Sequence, residues 1–221
     1  MSGVLLRMGV IAAVAVSLAS CGNDPAQSGL TATVGQSVGA VFKSTKGPAQ
    51  PVVVTRAKIR AIKAPILMFG LPSRKARLAM AIDGYNGDVV TWRAADGSTV
   101  SLRSGVVVAT RGAGSDLMSA AVPSLAQLEA GSGTVERRYY YLNGLDQSVA
   151  LTFTCQLQDL GAESIDVVEL RYTVHHVAET CSGDAPTFTN DYWIGPNHVM
   201  RKSKQWLGKT LGYAVIENLT E

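Results

Sequence analysis

The pair Asp96-Gly97 constrains this chain more than any other feature. It lies between "VVTWRAA" and "STVSLRSGVVVATRG", two segments in which apolar and polar residues alternate. Asp-Gly tolerates the φ > 0 backbone of a tight turn, and a period of two gives a strand one buried face, so the stretch predicts an antiparallel hairpin. The pattern recurs in both directions. "ILMFGL" is a compact apolar run before Pro72, and "ARLAMAIDGYNG" alternates Leu78, Met80 and Ile82. After Gly131-Ser132-Gly133 come "TVERRYYYL", "SVALTFTCQL", "SIDVVEL", "YTVHHVAETC", "TFTNDYWI", "VMRKSKQWLG" and "YAVIENL". Strands at intervals of roughly 8 to 12 residues predict a mainly β protein, an antiparallel β-sandwich or a partly open β-barrel. Two or three short helices complete it. Apolar spacing places them at 30–43, at 55–62 and at 115–128, the last interrupted by Pro123.

The N-terminus belongs to a different regime. Arg7 precedes an uncharged run from Met8 to Ser20. That run is shorter than the roughly 20 apolar residues of a spanning helix and reads as a secretory signal. It ends in Leu18-Ala19-Ser20-Cys21, which resembles a bacterial lipoprotein signal: residues 1–20 are removed and Cys21 carries the lipid. Several acyl chains, each contributing about 0.8 kcal/mol per buried CH₂, make such an anchor stable. Gly22, not Asp, follows the cysteine, which by the enterobacterial sorting rule directs the protein to the outer membrane. Residues 21–29 then form a lipidated tether and 30–221 a single β-rich domain. Without residues 1–20 the chain has 19 basic and 17 acidic residues. That balance gives no argument for nucleic acid.

Cys155 and Cys181 remain. In an oxidising envelope compartment a disulfide between them is the default, worth about 3 to 4 kcal/mol for a loop of this length. One geometry opposes it. A simple hairpin about Gly161 would set the two cysteines some fourteen residues, over about 40 Å, apart along the strands. Either the bond is absent, or the second segment turns back near 168–171 to give two short strands.

Side chains that could carry chemistry are sparse. His175 and His176 are adjacent and point to opposite faces of a strand, and only His198 accompanies them, so no metal site is predicted. "GVVVATRGAGSD" has a Gly-x-Gly after a strand but no Gly-Lys-Ser/Thr ending, and reads as a turn. A glycan-cleaving enzyme needs two converging carboxylates. Asp83, Asp88, Glu136, Asp166 and Glu169 are available, with no spacing that selects a pair.

The aromatics suggest more. Trp92, Tyr139, Tyr140, Tyr141, Tyr192, Trp193 and Trp206 all fall on predicted strands. Core packing is the ordinary use for Trp92 and Trp193. Alternation turns Tyr140 away from its two neighbours. Tyr140, Tyr192 and Trp206 are the candidate contacts to a sugar face or a protein partner.

Two blocks carry a family resemblance. The first has Trp92, Asp96, Gly97, Gly105, Thr110, Gly112, Asp116 and Leu117; the second has Asn190, Tyr192, Trp193, Ser203 and Gln205. In this order, behind a lipoprotein signal, they are similar to the YjbF/GfcB family of lipoproteins. Glu179 and Cys181 also fit that pattern and favour the Cys155–Cys181 disulfide. Gly195-Pro196 departs from it, since the family has an acidic residue after its Tyr-Trp-aliphatic triplet. The resemblance implies an outer-membrane lipoprotein, facing the periplasm, that assists export or assembly of a capsule or exopolysaccharide without turnover. It implies an outer-membrane β-barrel partner or the polysaccharide itself as ligand, and no cofactor. The alternative is a periplasmic glycan-modifying hydrolase or lyase.

Overall fold

The computed structural model describes residues 54–220. The signal segment, Cys21, the tether and the helix expected at 30–43 lie outside the described residues. Helix α1 (Arg56–Ile62) starts where Thr55 accepts a hydrogen bond from the Lys58 N–H, which satisfies one of the unpaired amides of the first turn. The strands are β1 (Ile66–Leu71), β2 (Ala76–Asn86), β3 (Val89–Ala94), β4 (Thr99–Arg103), β5 (Val106–Arg111), β6 (Ser119–Ala121), β7 (Thr134–Leu142), β8 (Ser148–Val167), β9 (Leu170–Gly183), β10 (Phe188–Gly195), β11 (Val199–Trp206) and β12 (Tyr213–Asn218). Helix α2 (Leu125–Ala130) lies between β6 and β7.

Neighbours in sequence pair antiparallel throughout, apart from β5 and β6, and β1 closes onto β12. The result is an up-and-down, nearly closed barrel, which decides between the two architectures the sequence allowed. The seam between β5 and β6 has no ladder. It is bridged by Thr110 N–H donating to the Leu117 carbonyl at 2.9 Å, and by the Arg111 guanidinium donating to the carbonyls of Leu117 and Met118 at 3.1 Å each. Closure removes exposed edges, the usual liability of a sheet.

The strand alternation fills the barrel. In β7, Val135, Arg137 and Tyr139 face inward while Glu136 and Arg138 face solvent. The interior cluster includes Phe69, Met80, Trp92, Val100, Leu117, Phe153, Phe188, Tyr192 and Ile216. Each such side chain contributes roughly 1.5 to 3 kcal/mol by leaving water. An apolar interior with a polar exterior is the reverse of a membrane-spanning barrel. Among the described residues no helix is long and apolar enough to cross a membrane.

Three local expectations change. The Asp96-Gly97 hairpin forms, but over residues 95–98: Ala94 N–H donates to the Ser98 carbonyl, and Asp96 accepts from Ser98 N–H. The helix expected at 115–128 starts only at Leu125. Pairing of Leu117 with Thr110 and of Ser119 with Tyr140 draws the first part into the sheet, and a Ser124–Gln127 capping box begins the helix after Pro123. Finally, β8 is one strand of 20 residues that passes Gly161 as a bulge instead of turning there. The turn is at Val168-Glu169, inside the range expected, but the strands on either side are long, not short.

The tip of that hairpin runs beyond the last β9–β10 pair, Ile194 with His175. It folds over the outer face of the barrel. Ile165, Val167 and Val174 bury Ile66, Met68 and Ala81 in a second cluster, shared with Ile59 of α1 and Leu219. Val168 and Glu169 have φ of 42° and 65°, which is costly for a β-branched residue. Buried Arg56 holds the turn: its guanidinium donates to the carbonyls of Val167, Val168 and Leu219 at 2.8, 3.2 and 2.7 Å, and its N–H donates to Glu169.

Candidate functional site

The strongest concentration of polar chemistry is inside the barrel. Arg137 on β7 and Glu179 on β9 form a two-pronged ion pair with no solvent exposure. Arg137 also donates to the hydroxyls of Tyr139 and Tyr192; Tyr192 OH and Asn190 Nδ2 donate to Glu179 at 2.7 and 2.8 Å. Tyr139 OH donates to the Trp206 carbonyl, and Trp206 N–H to Asn190 Oδ1. Burial alone would raise the Glu179 carboxyl; the adjacent Arg137 guanidinium and the hydrogen bonds from Arg137, Asn190 and Tyr192 override it and hold the group below its ordinary range. Burial likewise opposes the Arg137 charge, and Glu179 holds it high. Every charge has its partner. The arrangement is suited to fixing four strands in register, since removing either partner would strand a buried ion.

The other family-pattern residues serve the same end. Gln205 of β11 accepts from Val107 N–H at 2.9 Å and donates to the Gly105 carbonyl at 2.8 Å, so it ties β11 to β5 across the interior. Ser203 receives a second bond from the Gln205 amide. Gly105 has φ of 88° in the β4–β5 turn, and a Cβ there would meet Met200 at 2.4 Å, so both the turn and the close approach require glycine. Asp116 accepts from Thr110 OH, Gly112 N–H and Ala113 N–H at 2.9 to 3.0 Å. The amides that a Gly-x-Gly loop would turn toward a phosphate are occupied here by the chain's own carboxylate.

Cys155 and Cys181 are bonded, with S–S 2.06 Å. They are direct register partners because the hairpin turns at Val168-Glu169. With Glu179 they bring sulfur and oxygen atoms within 4.8 Å, but the disulfide removes both thiolates. Of the candidate aromatic contacts, Tyr140 is half-buried on the outward side of β7. Tyr192 and Trp206 are corrected: Tyr192 is fully buried against Glu179, and Trp206 is stacked on Phe188 and Tyr139 with 8% exposure. Both rings belong to the core. Trp92 is in the core, whereas Trp193 lies on the outer face, stacked on His176 and donating to Glu163.

The histidines and carboxylates are dispersed. His175 contacts Asp159, His176 lies between Glu163 and Asp191, and His198 contacts Glu129. Asp83, Asp88 and Asp166 pair with Arg93, Arg103 and Arg171, Glu169 accepts from Arg56, and Glu136 is exposed on β7.

The barrel has an opening at each end. Where β4 turns into β5 and β10 into β11, an apolar pocket of about 260 Å³ lies between Leu67, Trp92, Leu102, Met200 and Ile216. At the opposite end a cleft of about 560 Å³ lies between the loop at 114–118, the β7–β8 turn and the loop at 207–210. Its lining mixes apolar side chains with hydroxyl, carboxylate and ammonium groups. Nothing in the sequence marked it, because its walls are three loops distant in the chain.

A family model described as "Group 4 capsule polysaccharide lipoprotein gfcB, YjbF" matches residues 31–219. Among solved structures, the crystal structure of the hypothetical lipoprotein YmcC from Escherichia coli (K12) is similar in fold. Its TM-score is 0.68 at 15% identity, over 76% of this chain and 89% of that one. No curated protein matches the chain significantly.

Proposed function

The chain belongs to the YjbF family of group 4 capsule polysaccharide lipoproteins, and from that premise we propose that it assists the export or assembly of a capsular polysaccharide or exopolysaccharide by binding. It is held in the outer membrane by lipid on Cys21, on the periplasmic side. It engages an outer-membrane β-barrel partner or the glycan, and releases what it binds unchanged. The observation that carries this reading is the extent of the match, residues 31–219, which spans nearly all of the chain beyond Cys21.

The interior supports a binding role. Arg137, Glu179, Asn190, Gln205 and Asp116 are engaged in holding the barrel closed. They stiffen a scaffold whose loops are then presented at fixed positions. The test is polysaccharide output from cells that lack the gene and are supplied with either the unaltered protein or Cys21→Ala. Output restored by the first and not by the second supports an anchored accessory. Equal restoration by both contradicts the anchor, and undiminished output in the deletion strain contradicts the role itself.

A further inference from the structure

The cleft between the β7–β8 turn and the 207–210 loop has two distinct surfaces. Its floor is apolar, formed by Met118, Tyr141, Leu151 and Leu207. Its rim includes Asp146, Lys209 and Thr210, all exposed. Two of the cleft's other polar groups are occupied: Asn143 binds Gln147 and the Leu145 N–H, and Asp116 closes its own loop. Among the described residues the side chains of Asp146, Lys209 and Thr210 have no such partner.

Tyr141 is placed with care. Its ring stands edge-on to Tyr139 at 6.2 Å, and its hydroxyl is buried without a hydrogen-bond partner. That hydroxyl is closed off from solvent, so what the half-buried Tyr141 offers the cleft is its ring. Burial raises the phenol above its ordinary range. The 207–210 loop packs directly against it. Gly208 has φ of 105°, and a Cβ there would stand 3.0 Å from the Tyr141 hydroxyl.

An apolar floor under a hydroxyl-reading rim matches a pyranose ring, with its C–H face on one side and hydroxyls at its edge. An aliphatic ligand would leave the rim groups unpaired on desolvation. We propose that this cleft is a saccharide subsite, with Tyr141 in its floor and Asp146, Lys209 and Thr210 hydrogen-bonding the sugar hydroxyls. The assignment rests on the polysaccharide role argued above and gives it a location.

The test uses the full chain in detergent and, as probe, oligosaccharides prepared by partial hydrolysis of the polysaccharide secreted by the cells that make the protein. Binding is measured by calorimetry and by saturation transfer. Asp146→Ala/Lys209→Ala removes two exposed rim groups and leaves the core intact; Tyr141→Phe removes only the hydroxyl. The rim variant is expected to weaken binding about tenfold, the scale of one or two lost hydrogen bonds, and Tyr141→Phe, whose hydroxyl is closed off from the cleft, to leave it unchanged. Tyr85→Ala, exposed near the β2–β3 turn at the other end, is expected to leave binding unchanged. Equal affinity in the rim variant and the unaltered protein would overturn the subsite and leave the polysaccharide role standing. Absence of binding by the unaltered protein would also overturn it, and the deletion strain's output then judges the wider role separately. Loss of an outer-membrane partner from the rim variant, with oligosaccharide affinity unchanged, would assign this end to protein docking instead.

Discussion

Arg137 and Glu179 meet fork to fork inside the barrel, from strands that are not neighbours, with Nε–Oε1 and Nη2–Oε2 distances of 3.0 and 2.8 Å and no solvent exposure on either side. Taking two charges out of water is expensive, and the pair persists because Tyr139, Tyr192 and Asn190 complete its hydrogen bonds.

Glu179→Gln leaves the guanidinium buried without its counter-charge and is expected to cost about 3 to 5 kcal/mol in urea unfolding. Arg137→Met combined with Glu179→Leu should cost less than the two single changes added together. Additive losses would show that the two residues do not act as a unit.

The same pair sets an acid limit. The Glu179 carboxyl is lower in the folded protein than its unfolded value of 4.5. Its contribution is therefore complete above that value and is lost as pH falls through the lower folded one. The thermal midpoint should hold steady from neutrality to about pH 5 and decline below 4.5. Glu179→Gln should make that decline shallower.

Asp116→Ala tests the seam. It removes the acceptor for Thr110 OH and two loop amides, a loss of roughly 1 to 3 kcal/mol. Hydrogen exchange at Thr110 and Leu117 should speed up before exchange in β8 and β9 does. Uniform acceleration would mean the seam does not open by itself.

Cys155→Ala/Cys181→Ala should lower stability by about 2 to 4 kcal/mol, since the bond closes a long loop in the unfolded chain. Two thiols beyond Cys21 should be titrated only after denaturation and reduction. Free thiols in the unreduced, denatured protein would contradict the bond.

The β character and most strand positions were legible because alternation and Asp96-Gly97 act locally. The helix boundary was not. Leu117, Met118 and Val122 have a spacing that suits a helix, and only pairing with distant Thr110 and Tyr140 draws this segment into the sheet. The disulfide posed a false difficulty because Gly161 looked like a turn, whereas the chain makes its turn at Val168-Glu169, held by Arg56 from a different part of the sequence. Tyr192 and Trp206 were misplaced because alternation separates the two faces of a strand without saying which is inside: Tyr192 shares the buried face of Asn190, and at the end of β11 Gln205 and Trp206 are both buried. Arg137 had a usable signal, since it shares the inward phase of Val135 and Tyr139 in "TVERRYYYL". The cleft had none, as 114–118, 141–146 and 207–210 converge only on folding.

The measurement that tests the central claim most directly is isolation of the lipid-anchored protein in mild detergent from cells producing the polysaccharide, with protein and sugar analysis of what accompanies it. Binding without turnover predicts an identified outer-membrane β-barrel protein, or polysaccharide of undiminished length, recovered with it. Recovery of the protein alone, or with shortened polysaccharide, would contradict the account.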